Sequence, residues 1–187
     1  MGELVLVTGG ARSGKSRFAE RLAAGFGPNV AYIATLVPGD DEMRRRVAAH
    51  RRARPRAWRT IEEPLDVVSA LARAGSLDAC VLDCLTLWVS NLLLQADEAA
   101  EGREADVSRV VLDPVHALLQ TQRARAGALI VVTNEVGSGL VPEYRLGRLF
   151  RDALGEANQA VAAAASRVYL CVAGHALDVR ALGTPVE

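Results

Sequence analysis

Short apolar runs recur along the chain, each followed by a longer stretch whose apolar positions fall three or four apart. Residues 4–8, 30–34, 79–82, 128–132 and 168–172 are compact, mostly apolar runs, the pattern of strands buried on both faces. Residues 58–61 predict a shorter strand. Between the runs, 15–25, 41–52, 65–74, 85–94, 107–126 and 144–166 carry helical spacing. The helix signals agree with these bounds. Asp40 or Asp41 is a candidate N-cap for 41–52, and Pro55 ends it. Gly75 closes 65–74, Gly127 closes 107–126, and Pro114 is a candidate kink inside the latter. Residues 95–106, with Asp97, Glu98, Glu101 and Glu104, read as a solvated connection. No repeat and no Pro/Gly/Ser-rich linker divides the chain, so 1–187 reads as a single domain. Strands alternating with helices predict an α/β fold, with a mostly parallel sheet and helices on both faces.

The turn after the first run adds chemistry to this outline. Gly9, Gly10, Ala11, Arg12, Ser13, Gly14, Lys15 and Ser16 fit the phosphate-loop pattern G-x-x-x-x-G-K-[ST]. A buried strand, a glycine turn and a helix start aim backbone N–H groups at one point, where phosphate oxygens are attracted. In such a loop Lys15 reaches the β- and γ-phosphates and the Ser16 hydroxyl holds Mg2+. The fold is therefore expected to be of the P-loop NTPase type. Ligands of such sheets bind beyond the C-terminal strand ends, which directs attention to Thr35, Asp83 and the stretch Thr133, Asn134, Glu135. Asp83 is a candidate second Mg2+ ligand; the other reading is a helix cap for the segment from Leu85.

Composition narrows the field. Formal net charge is +0 and aromatic content is 4%, so neither a global field nor an aromatic platform favours nucleic acid. No apolar run approaches the roughly 20 residues of a membrane span, and the first run is too short for a signal peptide. Cys80, Cys84 and Cys171 lie in apolar surroundings without metal-ligand spacing and read as buried free thiols of a cytoplasmic protein.

One segment stands out by charge. Arg44, Arg45, Arg46, Arg51, Arg52, Arg54, Arg56 and Arg59 surround His50. A solvated basic helix, a nucleic-acid patch and an arginine lid over a polyphosphate all fit this pattern. An imidazole among phosphate-binding guanidiniums is also a candidate nucleophile toward phosphorus. His116 sits among leucines and is expected to pack, and His175 follows the last strand. Glu62 and Glu63 follow the short strand and are candidates for hydrogen bonds to a ribose or base.

Taken together, Thr8 to Arg17, then Tyr32-Ile33-Ala34-Thr35, Asp41-Glu42-Met43, His50 with Arg54-Pro55, Trp58-Arg59-Thr60, and Thr133-Asn134-Glu135-Val136-Gly137 resemble the bifunctional adenosylcobinamide kinase/adenosylcobinamide-phosphate guanylyltransferase family of cobalamin biosynthesis. The resemblance runs in order along nearly the whole chain. It implies that adenosylcobinamide is phosphorylated with ATP or GTP, and that GMP is then passed from GTP to the product. It makes His50 the guanylylated residue. It implies guanine-nucleotide contacts from the loop 9–16, from Ala34, Thr35 and Leu36, from Arg51, Arg52, Ala53 and Arg54, and from Glu62 and Asp83. It also implies a homotrimer. The family often has glycine at the Ala53 position and glutamate at the Asp83 position. A plain small-molecule or nucleotide kinase, with His50 idle, is the rival reading.

Overall fold

A computed structural model describes residues 2–99 and 108–186. The chain runs β1 (Leu4–Gly9), α1 (Lys15–Phe26), β2 (Val30–Ala34), α2 (Asp41–Ala53), β3 (Arg59–Glu62), α3 (Val67–Arg73), β4 (Ala79–Asp83) and α4 (Leu85–Ala99). After the gap come a π-helical turn (Ser108–Leu112), α5 (Asp113–Arg123), β5 (Ala128–Val132), α6 (Arg145–Ala164), β6 (Arg167–Val172), β7 (His175–Asp178) and a short α7 (Val179–Leu182). The strands form one sheet in the order β3-β2-β4-β5-β1-β6-β7. Only the β6–β7 pair is antiparallel among the described ladders; the rest are parallel. The C-terminal ends of six strands therefore share one edge.

Strand alternation splits the core into two layers. Leu4 and Leu6 of β1, Ile33 of β2 and Leu82 of β4 point to a face covered by α3, α4, α5 and α6, where Trp88, Leu118 and Leu154 are fully buried. Val5, Val7, Tyr32, Val81 and Ile130 point to the other face, covered chiefly by α1 through Ala19 and Ala23. Small residues on α1 let it approach the central strands closely. Phe18 and Tyr169 meet edge to face at 4.9 Å on one flank of that helix.

Several features depart from the sequence expectation. Helix α4 runs on to Ala99, because Gln95, Ala96, Glu98 and Ala99 are good helix formers even without an apolar face; the acidic stretch beyond, with Glu101 and Glu104, lies outside the described residues. The helix expected over 107–126 is instead a π-helical turn followed by α5. Pro114 sits in the first turn of α5, where its missing N–H leaves no bond unmade. His116 is exposed rather than packed, since the buried face of α5 is Val115, Leu118, Leu119 and Gln122. Finally, β7 follows β6 through a two-residue turn whose Ala173 and Gly174 take φ of 49° and 83°, the doubly positive pattern of a tight hairpin.

Ile130 is fully buried in the α1-facing layer. Truncating it to alanine is expected to cost about 2–5 kcal/mol, read as a lower denaturant midpoint with unchanged slope.

Candidate active site at the C-terminal strand edge

The loop between β1 and α1 is shaped by two close approaches. Gly9 has φ 151°, and a Cβ there would stand 2.4 Å from the Cys171 carbonyl oxygen. Gly14 has φ 95° and serves as the N-cap of α1, with no side-chain hydrogen bond to the helix end. Helix α6 likewise has no side-chain cap, whereas α2 and α3 are closed by aspartates. Asp40 caps α2 by accepting from Met43 N, and Asp66 caps α3 by accepting from Ser69 N. Helix α1 also has no acidic residue in its first turn. Its orphan N–H groups and positive end are thus left for an anion from outside the chain.

Neighbouring strands brace this loop. Gly174 N donates to Ser13 O at 3.0 Å from the β6–β7 turn, and Glu135 N donates to Gly9 O at 3.4 Å from beyond β5. The Lys15 ammonium reaches across the loop to Gly10 O at 3.0 Å. Thr8 Oγ1 and Ser13 Oγ are buried without hydrogen-bond partners among the described residues. Ser16 lies half-buried in the first turn of α1.

Beside the loop, sheet register lines up three of the sequence-predicted residues. Ala34 ends β2 and is paired with Glu62 of β3 on one side and Asp83 of β4 on the other. Thr35, fully buried, follows at once; its hydroxyl donates to Cys84 O and accepts from Cys84 N, both at 2.8 Å. Asn91 Nδ2 holds the Thr35 carbonyl at 2.9 Å. Leu36 is half-buried just beyond. Asp83 is half-buried, and its Oδ2 accepts a hydrogen bond from the Tyr32 hydroxyl. Burial, and then the Asp83 carboxylate, push the Tyr32 phenol far above its usual range, so it acts here as a donor.

His50 is exposed in the last turns of α2. Its neighbour Arg51 approaches Glu62 at 3.6 Å, which places the end of α2 beside the same strand edge. That ion pair is well exposed on both sides and contributes little to stability. Arg52 is exposed, and Ala53 is the last residue of α2. Arg54 behaves differently from the other arginines. Its side chain is only 8% exposed, its Nε meets Glu20 Oε1 at 3.2 Å, and its guanidinium stacks 3.3 Å from the Tyr32 ring centre. Its donors are directed inward, to α1 and β2. Glu63 is structural: Oε1 accepts from Leu65 N and Asp66 N. His175 is exposed at the start of β7.

Sequence reasoning gave no role to Glu20, Tyr32, Thr86 and Asn158. Thr86 Oγ1 accepts from Asn134 N at 2.7 Å, and Asn158 accepts from the Thr133 hydroxyl at 2.7 Å. These bonds fix the end of β5 between the phosphate loop and Asp83. No spacing rule marks such residues, because their partners lie 25 or more positions away.

Two expectations follow from this geometry. Gly9→Ala is expected to lower stability by about 1–3 kcal/mol and to weaken nucleoside triphosphate binding, whereas Gly10→Ala, whose Cβ meets open space, leaves stability unchanged by denaturant titration. Burial pushes the Cys84 thiol up to about 11 and the Cys80 thiol to about 12. Raised values keep both thiols protonated below that range, so a thiolate-seeking reagent at pH 8 should leave them unmodified until the protein is unfolded.

Comparison with known proteins shows the family and the fold. The bifunctional adenosylcobalamin biosynthesis protein CobP of Pseudomonas aeruginosa is 46% identical over 170 residues, covering 90% of this chain and 92% of its own. CobU of Salmonella typhimurium, with the same description, is 42% identical over 182 residues, covering 95% and 99%. Among solved structures, the RadB recombinase has a TM-score of 0.51 at 17% identity over 90% of this chain and 74% of its own. A type III secretion system ATPase of pathogenic bacteria has a TM-score of 0.58 at 12% identity over 99% and 59%. At those identities the structural likeness is one of fold alone. Residues 5–179 match the family described as cobinamide kinase / cobinamide phosphate guanyltransferase, and the chain belongs to that family.

Proposed function

We propose that this chain, as one domain, phosphorylates adenosylcobinamide with ATP or GTP and then transfers GMP from GTP to the product. The product of the second step is adenosylcobinamide-GDP, in cobalamin biosynthesis. The observation that carries the reading is the shared edge: the uncapped N-terminus of α1 opens at the strand ends where Arg51, in the turn of α2 that holds His50, approaches Glu62.

The phosphate loop serves both reactions by gripping the same β/γ unit. In the first, the loop amides and Lys15 stabilise charge on the β-phosphate as the γ-phosphoryl group passes to the substrate hydroxyl. In the second, the gripped unit is the leaving group. An imidazole nitrogen of His50 attacks the α-phosphorus, a P–N bond forms, the α–β P–O bond breaks and pyrophosphate departs. A phosphate oxygen of the phosphorylated corrinoid then displaces the imidazole, and the P–N bond breaks. Arg51 and Arg52 would steady charge on the α-phosphate. Ala34, Thr35, Leu36 and Glu62 line the edge that would receive the nucleoside.

Ser16 and Asp83 would hold Mg2+. A hydroxyl and a carboxylate are the hard oxygen donors this ion takes, and it usually completes its shell with water and substrate phosphates. The described residues accordingly need no larger cluster, and none of three or more His, Cys, Asp or Glu occurs among them. When bound, the ion would neutralise charge on the phosphate oxygens.

A homotrimer fits an apolar edge: Val172, Leu177, Val179 and Leu182 on β6, β7 and α7 are exposed. The cytoplasm is the compartment we assign, since the reading needs nucleoside triphosphates and the three cysteines are free thiols. No helix among the described residues is long and apolar enough to cross a membrane.

Incubation with GTP and Mg2+ should add one GMP to His50 by intact mass and peptide mapping, labile in acid and stable in alkali. His50→Ala should lose the adduct and the guanylyl transfer while keeping phosphoryl transfer. Lys15→Ala should slow both reactions by about 100-fold or more. A plain kinase would give no adduct, and guanylyl transfer at normal rate by His50→Ala would end the covalent mechanism.

A further inference from the structure

We infer that Glu20, Arg54 and Tyr32 form a positioning chain that aims the Asp83 carboxylate into the active site, with Tyr32 the residue that touches it. The inference rests on the reading of Asp83 as a metal-holding acid. It adds positioning roles for three residues.

The chain of contacts is continuous. Glu20 Oε1 on α1 accepts from Arg54 Nε at 3.2 Å. The Arg54 guanidinium lies over the Tyr32 ring, 3.3 Å from its centre. The Tyr32 hydroxyl donates to Asp83 Oδ2. These contacts join the phosphate-loop helix, the end of α2, β2 and β4. Tyr32 is 2% exposed, so its ring has no freedom to leave Asp83 without opening the core. A guanidinium on the ring face draws electron density and favours donation by the phenol.

The geometry has a specific consequence for Asp83. A carboxylate has two oxygens and about four lone-pair sites. Tyr32 occupies Oδ2, and the position of that donor sets the rotation of the carboxylate plane. The other oxygen is then presented in a fixed direction. Residues that hydrogen-bond a metal-ligating carboxylate commonly act this way. Thr35, through its paired bonds with Cys84, fixes the backbone on the other side of Asp83.

A purely structural role for Tyr32 would be satisfied by its ring alone. Tyr32→Phe separates the two roles, because it keeps the ring and removes the donor. Calorimetric titration with α,β-methylene-GTP, which cannot guanylylate His50, reads the effect without turnover. Affinity is measured in Mg2+ and in EDTA, and the ratio of the two is the metal increment. Tyr32→Phe is expected to shrink that increment by about tenfold or more, with affinity in EDTA unchanged. Arg54→Gln, which leaves the core ring in place, is expected to shrink it in the same direction. The double variant should lose no more than Tyr32→Phe alone, because both act through one path.

A full metal increment in Tyr32→Phe overturns the positioning role. Losses from Arg54→Gln and Tyr32→Phe that simply add overturn the chain, leaving Arg54 acting elsewhere. Asp83→Asn is measured alongside. If it abolishes the increment while Tyr32→Phe does not, the positioning role falls and the reading of Asp83 stands. If Asp83→Asn also keeps the increment, Asp83 is not the metal-holding acid and both fall together.

Discussion

One helix end governs this molecule. The first N–H groups of any helix have no partner within it, and a protein normally satisfies them with a side chain. Here α2 and α3 follow that rule through Asp40 and Asp66, while α1, like α5 and α6, has no side-chain cap. Gly14 takes a left-handed conformation at that position and offers no side chain at all. The local cost is borne by the surrounding sheet. Cys171, Gly174 and Glu135 hold the loop backbone from β6, from the β6–β7 turn and from beyond β5. An unfilled, positively polarised helix start, framed by neighbouring strands, is suited to take an anion as the missing cap.

The two faces of the sheet divide the labour. Four helices and a π-helical turn bury the broad apolar layer that holds Trp88, Leu118 and Leu154. The opposite face carries α1 nearly alone, and on its flanks the packing turns polar or aromatic: Glu20, Arg54 and Tyr32 toward β2, Phe18 and Tyr169 toward β6. Among the described residues, the buried polar side chains Ser13, Thr35, Thr86 and Thr133 gather at the C-terminal strand edge, with Gln122 the exception.

What could be read from the chain was what local pattern encodes. The buried strands announced themselves because both of their faces are apolar, and the phosphate loop because its glycines, Lys15 and Ser16 stand at fixed offsets. His50 drew notice through the arginines around it. The hairpin strand β7 was hidden because Ala173 takes a φ of 49° that alanine seldom adopts. The extension of α4 was hidden because Gln95 to Ala99 lack an apolar face. The chain Glu20, Arg54, Tyr32, Asp83 joins four elements, and no periodicity spans them. Arg54 in particular looked like one more member of a basic run, and only the fold separates it from Arg51 and Arg52.

Helix α2 has no buried residue among those described, yet it bears His50. Opening a segment that covers so little apolar surface exposes almost nothing new to solvent. The denaturant dependence of such an opening scales with the area exposed and is therefore close to zero. Amide protons of α2 should exchange at much the same rate across moderate urea concentrations, while those of β1 and β5 should accelerate with each increment. The segment bearing His50 would thus be distinguishable from the frame by a slope, with no ligand present.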